Sequence, residues 1–275
     1  MTRPITRIFS DLHYGDRASK LTRLAALAPL IDGADRIILN GDTLDTRPSR
    51  DPAATAVLRA EVADFFGRLA APVTFIPGNH DPDISSQHRL EFADGLVFVT
   101  HGDALFESLV PWGRDAAIAR ARIAAELAAL PPDSRDHLDA RLAAAHRAAA
   151  MIPQRHQSER HGLKHLLGFV ADTVWPPWRM LLVLRAWRET PARAASFVRR
   201  HGLPARFFVM GHTHRLGFSR ASGGFVVVNT GSFAPPGRAG FVDLTADRLT
   251  LRRIFARRGE FHPGPPIAEF ALAGP

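Results

Sequence analysis

The 275-residue sequence contains no cysteine. This absence excludes disulfide bonds and thiolate metal sites, so a bound metal has to be held by His, Asp, Glu or Asn side chains. It also fits a reducing compartment, and we therefore expect a cytoplasmic protein.

Long apolar runs are also missing. No stretch of about 18 apolar residues occurs, so the sequence predicts no membrane-spanning helix. The most apolar segment, residues 163–187, is interrupted by charged residues and prolines. The apolar run at residues 4–9 is too short for the core of a secretion signal and leads directly into Asp11.

Lysine is scarce, with only Lys20 and Lys164, so the net charge of +8 comes almost entirely from arginine. Residues 111–210 hold 16 basic and 8 acidic residues, whereas the rest of the chain balances at 19 and 19. A guanidinium group grips phosphate through a two-pronged contact, which suits an anionic ligand. The alternative is an arginine-rich composition without functional meaning.

Hydrophobic residues make up 46% of the chain and charged residues 23%, as in an ordinary globular protein. We expect residues 1–275 to form a single domain. Apolar runs typical of strands alternate with helical patterns in the first part of the chain, and strands return after residue 205. The predicted strands are residues 5–10, 36–40, 73–76, 96–100, 206–210, 225–229, 240–244 and 248–255, and the early helices are residues 19–31 and 53–69.

The alternation is broken by an alanine-rich helical segment, residues 111–202, which we interpret as an insertion. It is predicted to hold helices at residues 114–130, 133–152, 163–174 and 178–201, with Asp133 as a helix N-cap. The tail at residues 259–275 is rich in Pro and Gly and is predicted to be irregular.

Five clusters each place Asp, Asn or His directly after a predicted strand. In an open α/β sheet, ligands bind beyond the carboxyl ends of the strands, so these clusters are expected to converge. Imidazole and carboxylate groups suit Mn, Fe or Zn, and the neighbouring glycines permit tight turns. The clusters are Asp11-x-His13, Gly41-Asp42-x-x-Asp45, Gly78-Asn79-His80-Asp81, His101-Gly102-Asp103 and Gly211-His212-x-His214.

This ordered set resembles the calcineurin-like metallophosphoesterase family over residues 1–110 and 205–255. The resemblance implies a four-layer α/β/β/α sandwich of two mixed sheets with a helical insertion. It also implies two divalent metal ions, Mn first and Fe or Zn as alternatives. The implied reaction is hydrolysis of a phosphate ester or anhydride by a hydroxide that bridges the two metals.

The resemblance also implies a role for each matching residue. Asp11, His13 and His214 would bind one metal, Asn79, His101 and His212 the other, and Asp42 would bridge both. His80 would stabilise or protonate the leaving oxygen. Asp45 or Asp81 would hold a site histidine in place, although a plain turn carboxylate is an equal interpretation for both, and Asp103 is a weaker candidate.

The substrate depends on the insertion, which contains a Trp-rich stretch, residues 175–187, flanked by arginines. It predicts either a lid that binds a lipid-like chain, with peripheral contact to the inner membrane, or a helix that packs on the core. The insertion resembles that of the UDP-2,3-diacylglucosamine pyrophosphatase branch of lipid A synthesis. That branch often has arginine at the position of His80, so it stays the alternative to a general phosphoesterase.

The expected partner is therefore a phosphorylated small molecule or a nucleotide-lipid substrate, and no obligate protein partner is indicated. A nuclease is a further alternative because of the sequence pI of about 11.2, but few aromatics that could stack on bases interleave with the basic residues. An inactive scaffold is the last alternative. It is disfavoured because every expected ligand position holds a residue that can bind metal.

Overall fold

Two mixed β-sheets form the centre of the computed structural model, which describes residues 4–49, 51–154 and 178–272. The first sheet has the order β11-β10-β9-β1-β2-β3, and the second has the order β4-β5-β6-β8-β7. The strands are β1 (Thr6–Phe9), β2 (Arg36–Asn40), β3 (Val73–Ile76), β4 (Leu90–Phe92), β5 (Val97–Val99), β6 (Phe207–Met210), β7 (Gly217–Arg220), β8 (Val226–Asn229), β9 (Gly240–Leu244), β10 (Arg248–Arg257) and β11 (Glu260–Ala271).

Parallel pairing involves the five strands that precede the polar clusters, together with β8. In the first sheet β1, β2 and β3 are parallel, and in the second β5, β6 and β8 are parallel. The other strands join antiparallel at the sides of each sheet. The carboxyl ends of the parallel strands therefore point to one edge of each sheet.

Alternation along the strands builds three apolar layers. On β1, Ile8 faces the second sheet, while Phe9 faces helices on the outside. On β6, Val209 lies between the sheets, while Phe208 lies under a helix on the opposite outer face. The molecule therefore consists of helix, sheet, sheet and helix layers, and the predicted four-layer α/β/β/α fold is confirmed.

The helices of the described residues are shorter than the sequence predicts at two places. Residues 19–23 are not helical, because Ser19 Oγ donates to the carbonyl of Leu12 and Lys20 N–H to that of Phe233. Asp133 caps no helix and lies in a 3₁₀ turn, because no apolar residue before Leu138 is available to pack. The helices are α1 (Ala28–Ile31), α2 (Pro52–Gly67), α3 (Ala116–Ala129), α4 (Leu138–Ala150) and α5 (Trp178–Arg200).

Helix α5 contains the described part of the Trp-rich stretch, residues 178–187. Its second half packs on the second sheet through Ala194, Ala195 and Val198, whereas Trp178 and Leu181 near its start are exposed. The helix predicted at residues 163–174 lies outside the described residues. Among the residues described, no helix combines the length and apolarity that crossing a bilayer requires.

The prediction of an irregular tail at residues 259–275 is wrong for residues 260–271, which form strand β11. Prolines are tolerated in this strand because it lies at the edge of the sheet and pairs with β10 alone. Two register shifts in the ladder accommodate them near Arg252. Phe261 and Phe270 are both buried and hold the strand on the core.

We expect Phe270→Ala to lower the free energy of unfolding by about 3–4 kcal/mol, because a buried aromatic side chain is lost from the core. The Phe270 ring packs against Phe207 and Phe218, with centroid distances of 5.5 and 5.4 Å. Phe255→Ala is the matched control, since this side chain of β10 is 44% exposed. Urea denaturation measures both, and equal small losses would contradict the role of β11 in the core.

Candidate metal centre

The polar clusters all lie just beyond the parallel strands. Asp11, Asp42 and Asn79 follow β1, β2 and β3, whereas His101 and His212 follow β5 and β6. The two sheets therefore deliver their loops to one place. All five side chains are buried, with at most 4% of each residue exposed.

Asp11, His13 and His214 form the first group of ligand-type atoms. His214 Nε2 lies 3.1 Å from Asp11 Oδ1 and 3.2 Å from His13 Nε2. His13 Nε2 is 3.9 Å from the same Asp11 oxygen. Three such atoms within this range of one another can share a single cation.

The second group consists of Asp42, His101 and His212, and Asn79 lies on the loop whose Gly78 and His80 contact Asp42. Asn79 Oδ1, His101 Nε2 and His212 Nδ1 are buried, and none has a hydrogen-bond partner among the described residues. Buried polar atoms of this kind are costly unless something binds them. The donor set therefore fits a cation at this position.

Asp42 lies between the two groups. Its Oδ2 atom is 3.3 Å from His101 Nε2 and 3.9 Å from His13 Nε2. Its Oδ1 atom accepts a hydrogen bond from the backbone N–H of His80, 2.8 Å away. The carboxylate thus faces ligands of both groups, which is the placement that a bridging ligand needs.

Five ligand-type residues adopt left-handed backbone conformations, which non-glycine residues rarely do. Each such residue costs on the order of 1–3 kcal/mol, and the surrounding structure has to hold it. Backbone bonds from Asp11 N to Gly41 O and from His13 N to Asp42 O contribute to this. The φ angles are 52° at Asp11, 47° at His13, 53° at Asp42, 62° at His212 and 55° at His214.

Glycines pack directly against the ligand side chains. A Cβ atom added at Gly211 would overlap Asp11 Oδ2 and Ser10 Oγ, and one added at Gly78 would overlap Asp42 Oδ1. These glycines therefore permit the close approach between neighbouring loops that brings the carboxylates into the centre.

Asp45 contacts a site histidine. The Nδ1 atom of His80 lies 3.0 Å from Asp45 Oδ2, which only accepts hydrogen bonds, and 2.9 Å from Arg47 Nη2, which only donates them. Arg47 binds the same carboxylate through Nε and Nη2 at 2.9 and 2.6 Å. No sequence motif pointed to Arg47, although it lies only two residues after Asp45.

Asp81 and Asp103 have other partners. Asp81 accepts the backbone N–H groups of Gly78, Asp42 and Thr43, so it fixes the backbone of two site loops rather than a histidine ring. Asp103 is buried and its Oδ2 lies 3.3 Å from His146 Nε2 of α4.

Burial and the neighbouring carboxylates together set the charge of the site histidines. It lowers the pKa of His13 and of His212 to about 4, so both rings are neutral at pH 7 and carry the lone pair that metal ligation requires. Burial also opposes the charged form of His101, but the adjacent Asp42 carboxylate outweighs it and raises the pKa of His101 well above its ordinary value.

The family model of the calcineurin-like phosphoesterases matches residues 6–216, more than half of the chain. The chain belongs to the calcineurin-like phosphoesterase family. Its fold is accordingly a metallophosphoesterase fold, and its His/Asp cluster is a candidate site for the divalent metals that this family generally binds.

Solved structures of other proteins resemble this family member only loosely. The vacuolar protein sorting 29 protein of Cryptosporidium parvum is 12% identical at a TM-score of 0.46, with 98% of this chain and 100% of that chain covered. A dimetal phosphatase of Danio rerio is 13% identical at 0.45, with 99% of each chain covered. No property transfers from them at these scores. A comparison with curated proteins finds no match.

We expect Gly211→Ala to reduce the amount of manganese that the purified protein retains, because the new methyl group displaces Asp11. Metal content is measured by mass spectrometry after loading with Mn²⁺, and circular dichroism checks the fold. Gly67→Ala at the end of α2 is the control, since a Cβ there has no atom within 4 Å. Equal manganese in both variants would contradict the close packing of Gly211 on the metal centre.

Proposed function

We propose that this phosphoesterase hydrolyses a phosphate ester or anhydride at the cluster of Asp, Asn and His side chains around Asp42, using two divalent cations. The cations would supply the acidity that makes a water molecule nucleophilic at neutral pH and the positive charge that stabilises the reacting phosphoryl group. The observation that carries the proposal is the pair of His/Asp groups around Asp11 and Asp42, together with the buried Asn79 Oδ1 and His212 Nδ1 atoms, which have no hydrogen-bond partner among the described residues.

The residues would divide between two cations. Asp11, His13 and His214 would hold the first, Asn79, His101 and His212 the second, and the Asp42 carboxylate would hold both. Imidazole, carboxylate and amide oxygen donors suit manganese, with iron or zinc as alternatives. Asp81 would keep the loops of Asp42 and Asn79 in register through its backbone contacts.

His80 would act on the leaving oxygen. Burial and the neighbouring Arg47 oppose its charged form, but the carboxylates of Asp42 and Asp45 outweigh them and raise the pKa of His80 above its ordinary value. Nδ1 faces Asp45 and Arg47, so Nε2 is the ring nitrogen left to face the substrate. His80 also lies close enough to His13 and Asp42 to be a metal ligand, so its two roles need a direct test.

A second candidate function is the hydrolysis of an acylated nucleotide diphosphate, as in UDP-2,3-diacylglucosamine pyrophosphatases. The exposed apolar side chains at the start of α5 favour it, since an acyl chain could lie against them. These are Trp178 at 62%, Met180 at 45%, Leu181 at 65% and Leu184 at 49% exposure. Assays with such a lipid beside simple diesters separate the two candidates.

Nuclease activity has less support. Several arginines of the basic segment are already paired with carboxylates, among them Arg185 and Arg193 with Glu189 and Arg147 with Glu126. These pairs reduce the positive field available to a phosphate backbone.

We expect Asp42→Asn to lower kcat for bis(p-nitrophenyl) phosphate with Mn²⁺ by about 100-fold or more, because the site loses its shared negative charge. Asp94→Asn is the matched control. Asp94 is exposed and has the same left-handed backbone, with φ of 53° at both positions. Turnover in Asp42→Asn equal to that of the control would refute the bridging role.

We expect His80→Ala to retain both metals but to lose about 100-fold or more in kcat for a diester with an alkyl leaving group. The loss should be much smaller for p-nitrophenolate, which departs without a proton. Metal analysis and the two substrates are measured on the same preparation. A lost metal would identify His80 as a ligand, and equal rate losses would argue against proton donation.

A further inference from the structure

Two groups outside the five sequence clusters hold the loop that carries His212 and His214. One is the backbone carbonyl of Leu109, and the other is the ring N–H of Trp187 on helix α5. Both belong to, or pack against, the helical part of the chain between the two halves of the core.

Leu109 has a strained backbone, and its side chain is buried among helices. Its φ angle of 56° is unusual for a bulky residue and costs on the order of 1–3 kcal/mol. Its side chain is only 2% exposed and lies in the apolar cluster of helices α3 and α4, with Ile123 and Ala148. The packing of these helices therefore holds the backbone in a conformation that it would otherwise leave.

This conformation directs the Leu109 carbonyl at a metal-site ring. His212 Nε2 lies 2.9 Å from it, and since a carbonyl only accepts, Nε2 carries the proton. The lone pair of the neutral ring is then on Nδ1, which is the buried atom without a partner among the described residues. The rings of Phe106 and Trp112 pack on His212 at 5.7 and 5.5 Å and limit its rotation.

Trp187 supports the same loop from α5. Its Nε1–H donates to the carbonyl of Thr213, the residue between the two histidines, over 2.8 Å. The guanidinium of Arg215 lies over the Trp187 ring, 5.5 Å from its centroid. Trp187 follows Ala186, which is buried against the second sheet, so the indole is fixed on a packed helix.

We propose that Leu109 and Trp187 are positioning residues of the metal centre, through which helices α3, α4 and α5 set the ring of His212 and the loop to His214 for metal binding. The inference rests on the proposed function in one respect, namely that His212 binds a cation. Contacts of this kind behind a metal ligand are typically worth about 10- to 100-fold in metal affinity.

Trp187→Phe removes the N–H donor and keeps most of the ring. Trp178→Phe is the matched control, the same change at an exposed position of the same helix. Mn²⁺ is titrated into metal-free protein and bound ions are counted by electron paramagnetic resonance, which also distinguishes a coupled pair from a single ion. We expect about 10-fold weaker binding at one of two sites for Trp187→Phe and unchanged binding for Trp178→Phe.

Leu109→Ala removes most of the buried side chain that holds this backbone. We expect it to weaken Mn²⁺ binding at the same site by about 10-fold or more. Leu249→Ala is the control for lost stability. Leu249 of β10 is fully buried and pairs with Leu244 of β9, which in turn pairs with Thr6 at the start of β1, the end of that strand away from the metal centre. Leu109→Met, which keeps the buried volume, should restore wild-type affinity.

The outcomes separate the two proposals. Two bound ions in the wild type with unchanged affinity in Trp187→Phe and Leu109→Ala would overturn the positioning role and leave the proposed function standing. A wild type that binds no Mn²⁺, Fe²⁺ or Zn²⁺ would overturn both. Equally weakened Mn²⁺ binding in Leu109→Ala and Leu249→Ala would show that Leu109 acts only through stability and would exclude it as a positioning residue.

Discussion

The structure depends on one constraint, the convergence of parallel strand ends from two sheets on the carboxylate of Asp42. Each sheet alone would leave its loops at a separate edge. Packing the sheets through Ile8, Ile38 and Val209 brings the loops after β1, β2, β3, β5 and β6 to one buried place. Asp42 is then faced by histidines from both sheets, and the burial of so many polar groups is tolerable only because a central anion and cations can balance one another.

The same convergence explains why the loops are strained and glycine-rich. Short turns must direct side chains inward from strands that already point at the centre, which forces left-handed backbone at Asp11, Asp42 and His212. Where two loops would collide, only glycine fits, as at Gly211 against Asp11. Asp81 reaches back to three backbone N–H groups, and these bonds keep the strained conformations from relaxing.

Much of the fold could be predicted from the sequence, because apolar runs ending in Asp, Asn or His reveal both a strand and the edge at which it ends. The sequence could not reveal the contacts that depend on tertiary packing. A leucine such as Leu109 carries no local signal for left-handed backbone, and the helical pattern around Trp187 does not identify the carbonyl that its indole meets. Strand β11 was missed because its prolines oppose a strand locally, whereas burial of Phe261 and Phe270 on an edge overrides them.

The free-energy cost of the buried polar groups also bears on whether the centre binds metal or only keeps the fold of the family. The buried Asn79 Oδ1 and His212 Nδ1 atoms have no partner among the described residues and each cost about 1–3 kcal/mol, and five left-handed residues add comparable amounts. A protein-binding scaffold gains nothing from these costs, since Asn79, His101 and His212 are too buried to contact a partner. Cations bound by these atoms would offset the costs directly, so the geometry of the centre favours metal binding.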